Sequence, residues 1–305
     1  MWQAVTRQVR AWEEHPDPTG GRPCEMPPGH HVDVHAPDGA TLRGLRAGDP
    51  AGDSVMLVHG NMQDRRAWAP VARRLADRGF DVLTIDQRGY GESERGTDPL
   101  EGATTLAADL RVWIDHLALE DVTIIAHSMG NVPVLSYCIQ HAEEDLALHS
   151  LVLVGAFSHV PRMMEPALDS RRALQFTRWL FRRPTLGLLL SRFFFGKRPA
   201  GASVRALRGA IAATPADTFA EGGSALGIVD FRSDLHRITV PVDVVVGDAD
   251  KGTPVGFSVR LHCLLANSRL HVIPDVGHMV AYEAPDTLVG IIERSTQGVG
   301  GRLRH

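Results

Sequence analysis

Short, nearly unbroken apolar runs recur along the chain, and segments with helical spacing separate them. The runs occupy residues 55–58, 82–85, 122–125, 151–154 and 242–246. Runs of this kind are typical of strands buried on both faces of a parallel sheet. Apolar residues recur every three or four positions over residues 68–78, 104–117 and 132–141, which predicts helices. The alternation of strand and helix predicts a doubly wound α/β fold with a mostly parallel sheet.

The same pattern divides the chain into an arm, a core in two pieces and an insertion. Residues 1–30 are rich in Pro and Gly from position 16 onward, which predicts an extended N-terminal arm. Alternating apolar and polar residues over 32–35 and 41–45 predict an antiparallel hairpin around Pro37-Asp38-Gly39.

Strands stop for a long stretch in the second half of the chain. Between residues 156 and 236, helix-like segments follow one another, so we predict an inserted helical cap. These segments are 168–181, 186–195 and 204–213. The pattern resumes with the run at 242–246, a helix over 255–265, a strand at 270–273 and a helix from 285 to about 294. The predicted core therefore comprises residues 31–155 and 237–297.

The composition mainly excludes classes of partner and of targeting segment. Of the 305 residues, 44% are hydrophobic and 22% charged, close to averages for soluble globular proteins. A formal charge of −4 gives no reason to expect nucleic acid as a partner. The apolar stretch 186–190 is far shorter than the ~20 residues of a membrane-spanning helix. The charged N-terminus lacks the apolar region of a secretory signal, and the three cysteines are widely spaced, so we expect a cytoplasmic protein.

Charge is unevenly distributed between the cap and the remainder. Residues 156–236 contain twelve Arg or Lys and six Asp or Glu, a balance of about +6 that leaves about −10 elsewhere. A basic cap would suit an anionic substrate, an acyl carrier or a lipid surface. A solvated helical face explains it more simply.

Ser128 stands in a pattern that suits a nucleophile. It follows the apolar run 122–125, precedes a helical segment, and has small residues, Ala126 and Gly130, two positions away on each side. A sharp strand-to-helix turn carrying an exposed serine needs small residues there. Serine before a helix is also a common N-cap, so this pattern alone leaves both roles open.

Further motifs follow the other runs in order. They are His59-Gly60-Asn61, 86–93 (Asp-Gln-Arg-Gly-Tyr-Gly-Glu-Ser), 247–250 (Gly-Asp-Ala-Asp) and Gly277-His278. With the serine turn, this ordered set resembles the α/β-hydrolase fold superfamily from about residue 31 to 295, the cap excepted. The resemblance implies an eight-stranded, doubly wound, mostly parallel sheet with an inserted helical cap.

The resemblance also assigns roles to particular residues. It implies Ser128 as nucleophile, His278 as its base and Asp250 as the carboxylate that orients the base. Asp248 and Asp275 compete with Asp250 by position, and the family pattern Gly-x-x-Asp selects Asp250. The backbone N–H groups of Asn61 and Met129 would form the oxyanion hole.

These roles imply acyl transfer to water without a cofactor or metal. No His-Glu-x-x-His spacing and no full dinucleotide fingerprint occur in the sequence. Serine at the turn argues against haloalkane dehalogenases and epoxide hydrolases, which resemble this fold but use aspartate.

The expected substrate is a small, largely apolar acyl compound, since the cap is rich in Phe and Leu between 176 and 195. We therefore predict a serine hydrolase that cleaves a carboxylic ester, or a related thioester or lactone. The alternatives are a carbon–carbon bond hydrolase and a non-hydrolytic member of the fold, such as a cyclase, a lyase or a binding protein.

Overall fold

A computed structural model describes residues 11–97, 103–144, 147–160, 171–227 and 229–297. Within these ranges, eight strands form one sheet in the order β1-β2-β4-β3-β5-β6-β7-β8. They are β1 (Gly29–His35), β2 (Thr41–Gly48), β3 (Ser54–Val58), β4 (Asp81–Ile85), β5 (Val122–His127), β6 (Leu148–Val154), β7 (Val242–Gly247) and β8 (Ser268–Ile273). The pairs β1–β2 and β2–β4 are antiparallel, and the remaining pairs are parallel. The predicted hairpin and mostly parallel sheet are confirmed.

Helices cover both faces of the sheet. The core helices are α1 (Ala69–Asp77), α2 (Ala103–His116), α3 (Asn131–Gln140), α8 (Val255–Leu264), α9 (Val280–Glu283) and α10 (Pro285–Gln297). Side chains alternate along β3: Met56 and Val58 pack in a cluster with α2 and α3, whereas Val55 and Leu57 pack in a second cluster with α1 and α10. Because both faces are covered, the central strands need apolar residues at every position, which explains their unbroken runs.

The insertion between β6 and β7 is helical. It contains α4 (Arg171–Arg182), α5 (Pro184–Arg192), α6 (Gly201–Ala213) and α7 (Ala216–Gly227). Three of these overlap the predicted cap segments, and residues 168–170 of the first segment lie outside the described residues. The fourth, α7, was not predicted. An isolated bridge between His159 and Asp230 joins the two ends of the insertion.

The N-terminal arm differs from its prediction in two details. Residues 1–10 lie outside the described part of the chain, but residues 11–13 are helical and Trp12 is buried. Trp12 packs in a cluster with Phe195, Val204 and other side chains of the cap, because an indole ring has much apolar area to bury. Strand β1 begins at Gly29, two residues before the predicted start of the core.

In the described ranges, no helix combines the length and the apolar character that a membrane span needs.

Candidate active site

Ser128 lies in a strained turn between β5 and α3. Its φ is 51°, in the left-handed region that non-glycine residues rarely adopt. A Cβ at position 130 would lie 2.5 Å from the His59 carbonyl oxygen, and one at position 60 would lie 3.2 Å from the Ser128 Cβ. Only glycine at these two positions allows the turn and the loop after β3 to pack this closely. The small residue predicted at position 130 therefore has a direct steric cause.

The described contacts do not support the alternative role of Ser128 as a helix cap. A 3₁₀ turn (Ser128–Gly130) follows β5 directly, with His127 at its N-cap position and without a side-chain capping bond. Helix α3 begins at Asn131, and its N-cap is Gly130. The Asn131 Nδ2 donates to the carbonyl oxygens of Ser128 (2.7 Å) and Val154 (3.1 Å), which ties the turn to the end of β6. This amide was not identified from the sequence.

His278 and Asp250 form a buried pair at the ends of β8 and β7. The His278 Nδ1 and the Asp250 Oδ2 are 2.8 Å apart. The other carboxylate oxygen accepts N–H groups of Gly252 and Thr253, both at 2.8 Å. Burial alone would raise the pKa of Asp250, but His278 and the Thr253 hydrogen bonds outweigh it and lower the pKa. An ionised Asp250 therefore accepts a hydrogen bond from the Nδ1–H of His278 and leaves Nε2 of His278 free to act as an acceptor.

Thr253 belongs to the same network. Its Oγ1 lies 3.0 Å from Asp250 Oδ2, 3.0 Å from the Gly155 carbonyl oxygen and 3.2 Å from His278 Nδ1. This hydroxyl was not identified from the sequence. A usable signal was present, because a threonine three residues after an aspartate suits a turn closed by the aspartate side chain.

Two glycines make room for the imidazole of His278. A Cβ at position 155 would lie 3.2 Å from its Cε1, and one at position 252 would lie 3.1 Å from its Nδ1. Gly155 also has a φ of 57°, which favours glycine. The ring is thus held closely by backbone on two sides.

Two further histidines are buried beneath the site and support it. The Gln87 N–H donates to His59 Nε2 (3.0 Å), so Nδ1 of His59 carries the proton and donates to the Gly60 carbonyl (2.8 Å). His127 Nε2 lies 2.9 Å from the carbonyl oxygen of His278 and donates to it. Burial, with the nearby His278, lowers the pKa of His127 to about 3, so His127 stays neutral.

The competing carboxylates take other partners. Asp248 accepts the Asp275 N–H at 2.7 Å, and Asp275 pairs with Lys197. Of the three candidates considered in the sequence, only Asp250 is hydrogen-bonded to His278 in the described structure.

Asn61 and Met129 flank the serine. Asn61 follows β3, and its side-chain Oδ1 accepts the Tyr90 hydroxyl at 2.6 Å. Its backbone N–H donates to no group of the described residues. Met129 is the residue after Ser128 in the 3₁₀ turn, where the first N–H groups lack intrahelical partners. Both amides are therefore available for an anionic oxygen near Ser128.

A cavity of about 480 Å³ connects the serine to the cap. The uncharged polar residues in its lining are Asn61, Gln63, Ser128, Thr177, Thr253 and His278. Apolar side chains line the remainder: Met62, Phe157, Val160, Leu174, Phe193, Phe194, Leu207, Ile211, Phe219, Phe257 and Met279. Ser128 and His278 share this cavity, although no hydrogen bond joins their side chains in the described contacts. Lys251 is the one Lys, Arg, Asp or Glu among the described residues that line it.

The cap also holds the loop that carries His278. The His278 N–H donates to the Phe194 carbonyl (2.7 Å), and the Lys197 N–H donates to the Asp275 carbonyl (3.1 Å). Gly196 and Gly277 meet where the two segments cross, and a Cβ on either would overlap the other backbone. This Gly196–Gly277 crossing fixes the histidine loop against the cap.

Glu283 lies directly behind the crossing. Its Oε2 accepts the Gly196 N–H at 2.6 Å and its Oε1 accepts the Gly277 N–H at 2.9 Å. Burial raises the pKa of Glu283 to about 7, although the two N–H donors lower it. One carboxylate therefore binds the cap and the histidine loop together, a link with no motif in the sequence.

Residues 53–285 match the family described as the alpha/beta hydrolase fold. The chain belongs to this family. A non-heme chloroperoxidase from Kitasatospora aureofaciens is 28% identical over 244 residues, which cover 75% of this α/β hydrolase and 86% of that protein. A 2-hydroxy-6-oxononadienedioate/2-hydroxy-6-oxononatrienedioate hydrolase from Klebsiella pneumoniae is 24% identical, over 77% of this chain and 84% of that one.

The fold comparison agrees with the family assignment. An esterase from Exiguobacterium antarcticum superposes with a TM-score of 0.78 at 23% identity, over 87% of this chain and 99% of that chain. The expected α/β-hydrolase fold is thereby confirmed, and the relatives support a hydrolase as the general class of enzyme.

The described residues contain no group of three His, Cys, Asp or Glu side chains placed to hold a metal ion.

Proposed function

We propose that this α/β hydrolase cleaves a carboxylic ester, or a related thioester or lactone, of a small and largely apolar substrate through an acyl-enzyme. The 2.8 Å pair of His278 and Asp250, in one cavity with Ser128, supports this proposal most directly. Serine is a weak nucleophile at neutral pH and needs a base that a third group orients. The esterase from Exiguobacterium antarcticum is consistent with it.

In the proposed reaction Ser128 attacks the acyl carbonyl while Nε2 of His278 takes its proton. Asp250 keeps the Nδ1 proton in place and stabilises the imidazolium that forms. The Asn61 and Met129 amides would stabilise the oxyanion, where one lost donor typically costs ~10²–10³ in turnover. His278 then protonates the leaving group, and water releases the acid by the reverse path.

Covalent labelling and turnover test the proposal together. Wild-type enzyme should react with a fluorophosphonate probe at Ser128 and should hydrolyse nitrophenyl esters of graded chain length. Ser128→Ala should lose the label and ~10⁶ in turnover. Labelling without turnover on any ester would instead favour a binding protein or another non-hydrolytic member, and an unchanged rate in the variant would refute the nucleophile.

A second candidate is the hydrolysis of a carbon–carbon bond in an acidic substrate. Lys251 favours it, because this lysine, next to Asp250 in the sequence, lines a largely apolar cavity and has no acidic partner among the described residues. Its Nζ lies 5.7 Å from the centre of the Phe193 ring. The Klebsiella relative acts on a dioate according to its name, and a lysine would suit such a carboxylate.

Matched esters test whether Lys251 binds an anionic substrate, the observation that favours the second candidate. Nitrophenyl butyrate and the nitrophenyl half-ester of succinate have acyl chains of equal length and differ in one carboxylate. A preference for the acidic ester that disappears in Lys251→Met, with butyrate unaffected, would support the anionic substrate. Equal use of both esters would leave ester hydrolysis standing and exclude Lys251 as an anchor.

A further inference from the structure

Helix α4 carries two large aromatic side chains that are exposed to solvent. Phe176 is 60% exposed and Trp179 is 47% exposed. Their rings stack, with centroids 5.7 Å apart and planes at 16°. Exposed large apolar side chains that occur together commonly mark an interaction surface, whereas scattered single ones need no explanation.

Arginines flank this pair on the same side of the helix. Arg172, Phe176 and Trp179 are four and three residues apart on α4, which places them in one stripe along its axis, and Arg183 follows the last residue of the helix. The Arg183 Cζ lies 4.2 Å above the Trp179 ring. In the described contacts, neither Arg172 nor Arg183 has an acidic partner. We call this set of four residues the α4 stripe.

The opposite side of α4 faces the protein. Leu174 lines the cavity, and Phe181 is buried in the cluster that contains Trp12 and Phe195. The helix therefore has two apolar sides, of which one completes the wall of the cavity. None of the four residues of the α4 stripe belongs to that cluster or to the described lining of the cavity.

Charge indicates what covers the stripe. The cap carries twelve basic and six acidic residues, while the whole chain has a charge of −4. An anionic surface would therefore attract the cap and repel the remainder, which orients the molecule. Aromatic rings beside arginines are the composition that binds the headgroup region of a bilayer. Phe193 of the cap is also 50% exposed, and it lines the cavity.

We propose that the α4 stripe docks this α/β hydrolase on an anionic lipid bilayer, with Phe176 and Trp179 in the headgroup region and Arg172 and Arg183 on lipid phosphates. An apolar substrate dissolved in the bilayer would then lie next to the cavity wall. Docking does not depend on the chemistry at Ser128, so the two proposals succeed or fail separately.

Vesicle sedimentation with the full chain tests the docking. Wild type should bind phosphatidylcholine vesicles that contain phosphatidylglycerol and should bind pure phosphatidylcholine much less, with binding that falls as salt rises. Because a basic residue near an anionic membrane contributes ~1 kcal/mol, Arg172→Glu and Arg183→Glu should each weaken binding about fivefold or more. Arg78→Glu, at the residue that follows α1, changes the same charge on the core and should have little effect.

The aromatic pair has its own variant and its own readout. Phe176→Ser/Trp179→Ser should abolish vesicle binding, whereas Val272→Ser, at a residue of the edge strand β8 that is 46% exposed, should not. Tryptophan emission should shift to shorter wavelength on anionic vesicles, and Trp179→Phe should remove that shift. None of these residues lines the cavity, so turnover of a soluble ester reports that each variant is folded.

Three results would overturn the proposal. Equal binding to neutral and anionic vesicles would remove the role of the arginines. If Phe176→Ser/Trp179→Ser still binds vesicles, the contact with the membrane lies elsewhere on the protein. A concentration-dependent dimer, lost in that variant and without vesicle binding, would show that a second copy of the chain covers the stripe.

Discussion

The sheet core and the cap use their large apolar side chains differently. In the core, side chains of the central strands such as Met56 and Leu57 are fully buried. Of the large apolar residues that the described structure leaves exposed, four lie in the cap and three lie on α8 and β8. The cap residues are Phe176, Trp179, Leu186 and Phe193.

This difference separates two tasks. The core buries the Asp250–His278 pair, whose proposed roles require one fixed geometry. The cap supplies apolar area of which part faces the cavity and part faces outward. We therefore expect core changes to affect reactivity and cap changes to affect which substrate is chosen.

The sharpest test of that division is Asp250→Asn. The amide keeps the shape but donates where Nδ1–H needs an acceptor, so His278 would adopt the wrong tautomer and turnover should fall by ~10⁴. Asp248→Asn in the same loop is the matched control, since Asp248 accepts from Asp275 and not from His278. Steady-state kinetics on one ester measure both variants. Equal losses of turnover in the two variants would show that turnover depends on the conformation of the loop and not on the Asp250–His278 pair.

The cap side of the division is tested by Thr177→Trp. Thr177 lines the cavity from α4, so an indole ring at this position should shorten the space for the substrate. The kcat/KM for long-chain nitrophenyl esters should fall ~10–100-fold relative to acetate, the scale on which pockets discriminate methylenes. Val272→Trp adds the same ring outside the cavity and should leave the chain-length profile unchanged. A uniform loss across all chain lengths would contradict a role in selection.

Glu283 joins the two regions and should make stability depend on pH. Burial raises the pKa of Glu283 to about 7. The protonated side chain therefore contributes stability in full at pH values below the ordinary pKa of 4.5, and this contribution is lost as pH rises through 7. Relative to Glu283→Gln, wild type should lose about 2 kcal/mol of unfolding free energy between pH 5 and pH 8. Urea unfolding at both pH values measures this. Glu293→Gln, on α10, serves as the control, and a pH-independent difference for Glu283→Gln would argue against ionisation at this position.

The smallest expected effect belongs to Thr253. Thr253→Val removes a hydroxyl near both Asp250 and His278, and kcat should fall by up to ~10-fold with little change in KM, the scale of one hydrogen bond. Thr253→Ser should restore most of kcat. A change in KM alone would mean that Thr253 contacts the substrate and does not position the pair.

Much of the core followed from local signals in the sequence. Strands β3 to β7 were found because burial on both faces demands unbroken apolar runs. The motifs that surround Ser128, Asp250 and His278 stand at strand ends, so their order along the chain anticipated the His278–Asp250 contact. Gly60 and Gly130 obey the steric rule that the turn imposes.

The missed features depend on contacts between distant residues. The hydrogen bonds of Glu283 form only because Gly196 and Gly277 come together in the fold. Those of Asn131 depend in the same way on β6 lying beside the serine turn. Helix α7 contains Gly222 and Gly223 and has little intrinsic helical preference. In α4, apolar residues occur on both sides, so periodicity could not tell that Leu174 faces the cavity and Trp179 faces outward.

The Gly196–Gly277 crossing limits how this enzyme can be re-engineered. Exchanging caps among relatives is an obvious route to new substrates, but the cap here is not a free-standing cassette. A transplanted cap must have glycine at the position of Gly196. It must also place a backbone carbonyl where that of Phe194 accepts the His278 N–H. Otherwise the graft would displace His278, the proposed general base, and a change meant to alter selectivity would abolish activity.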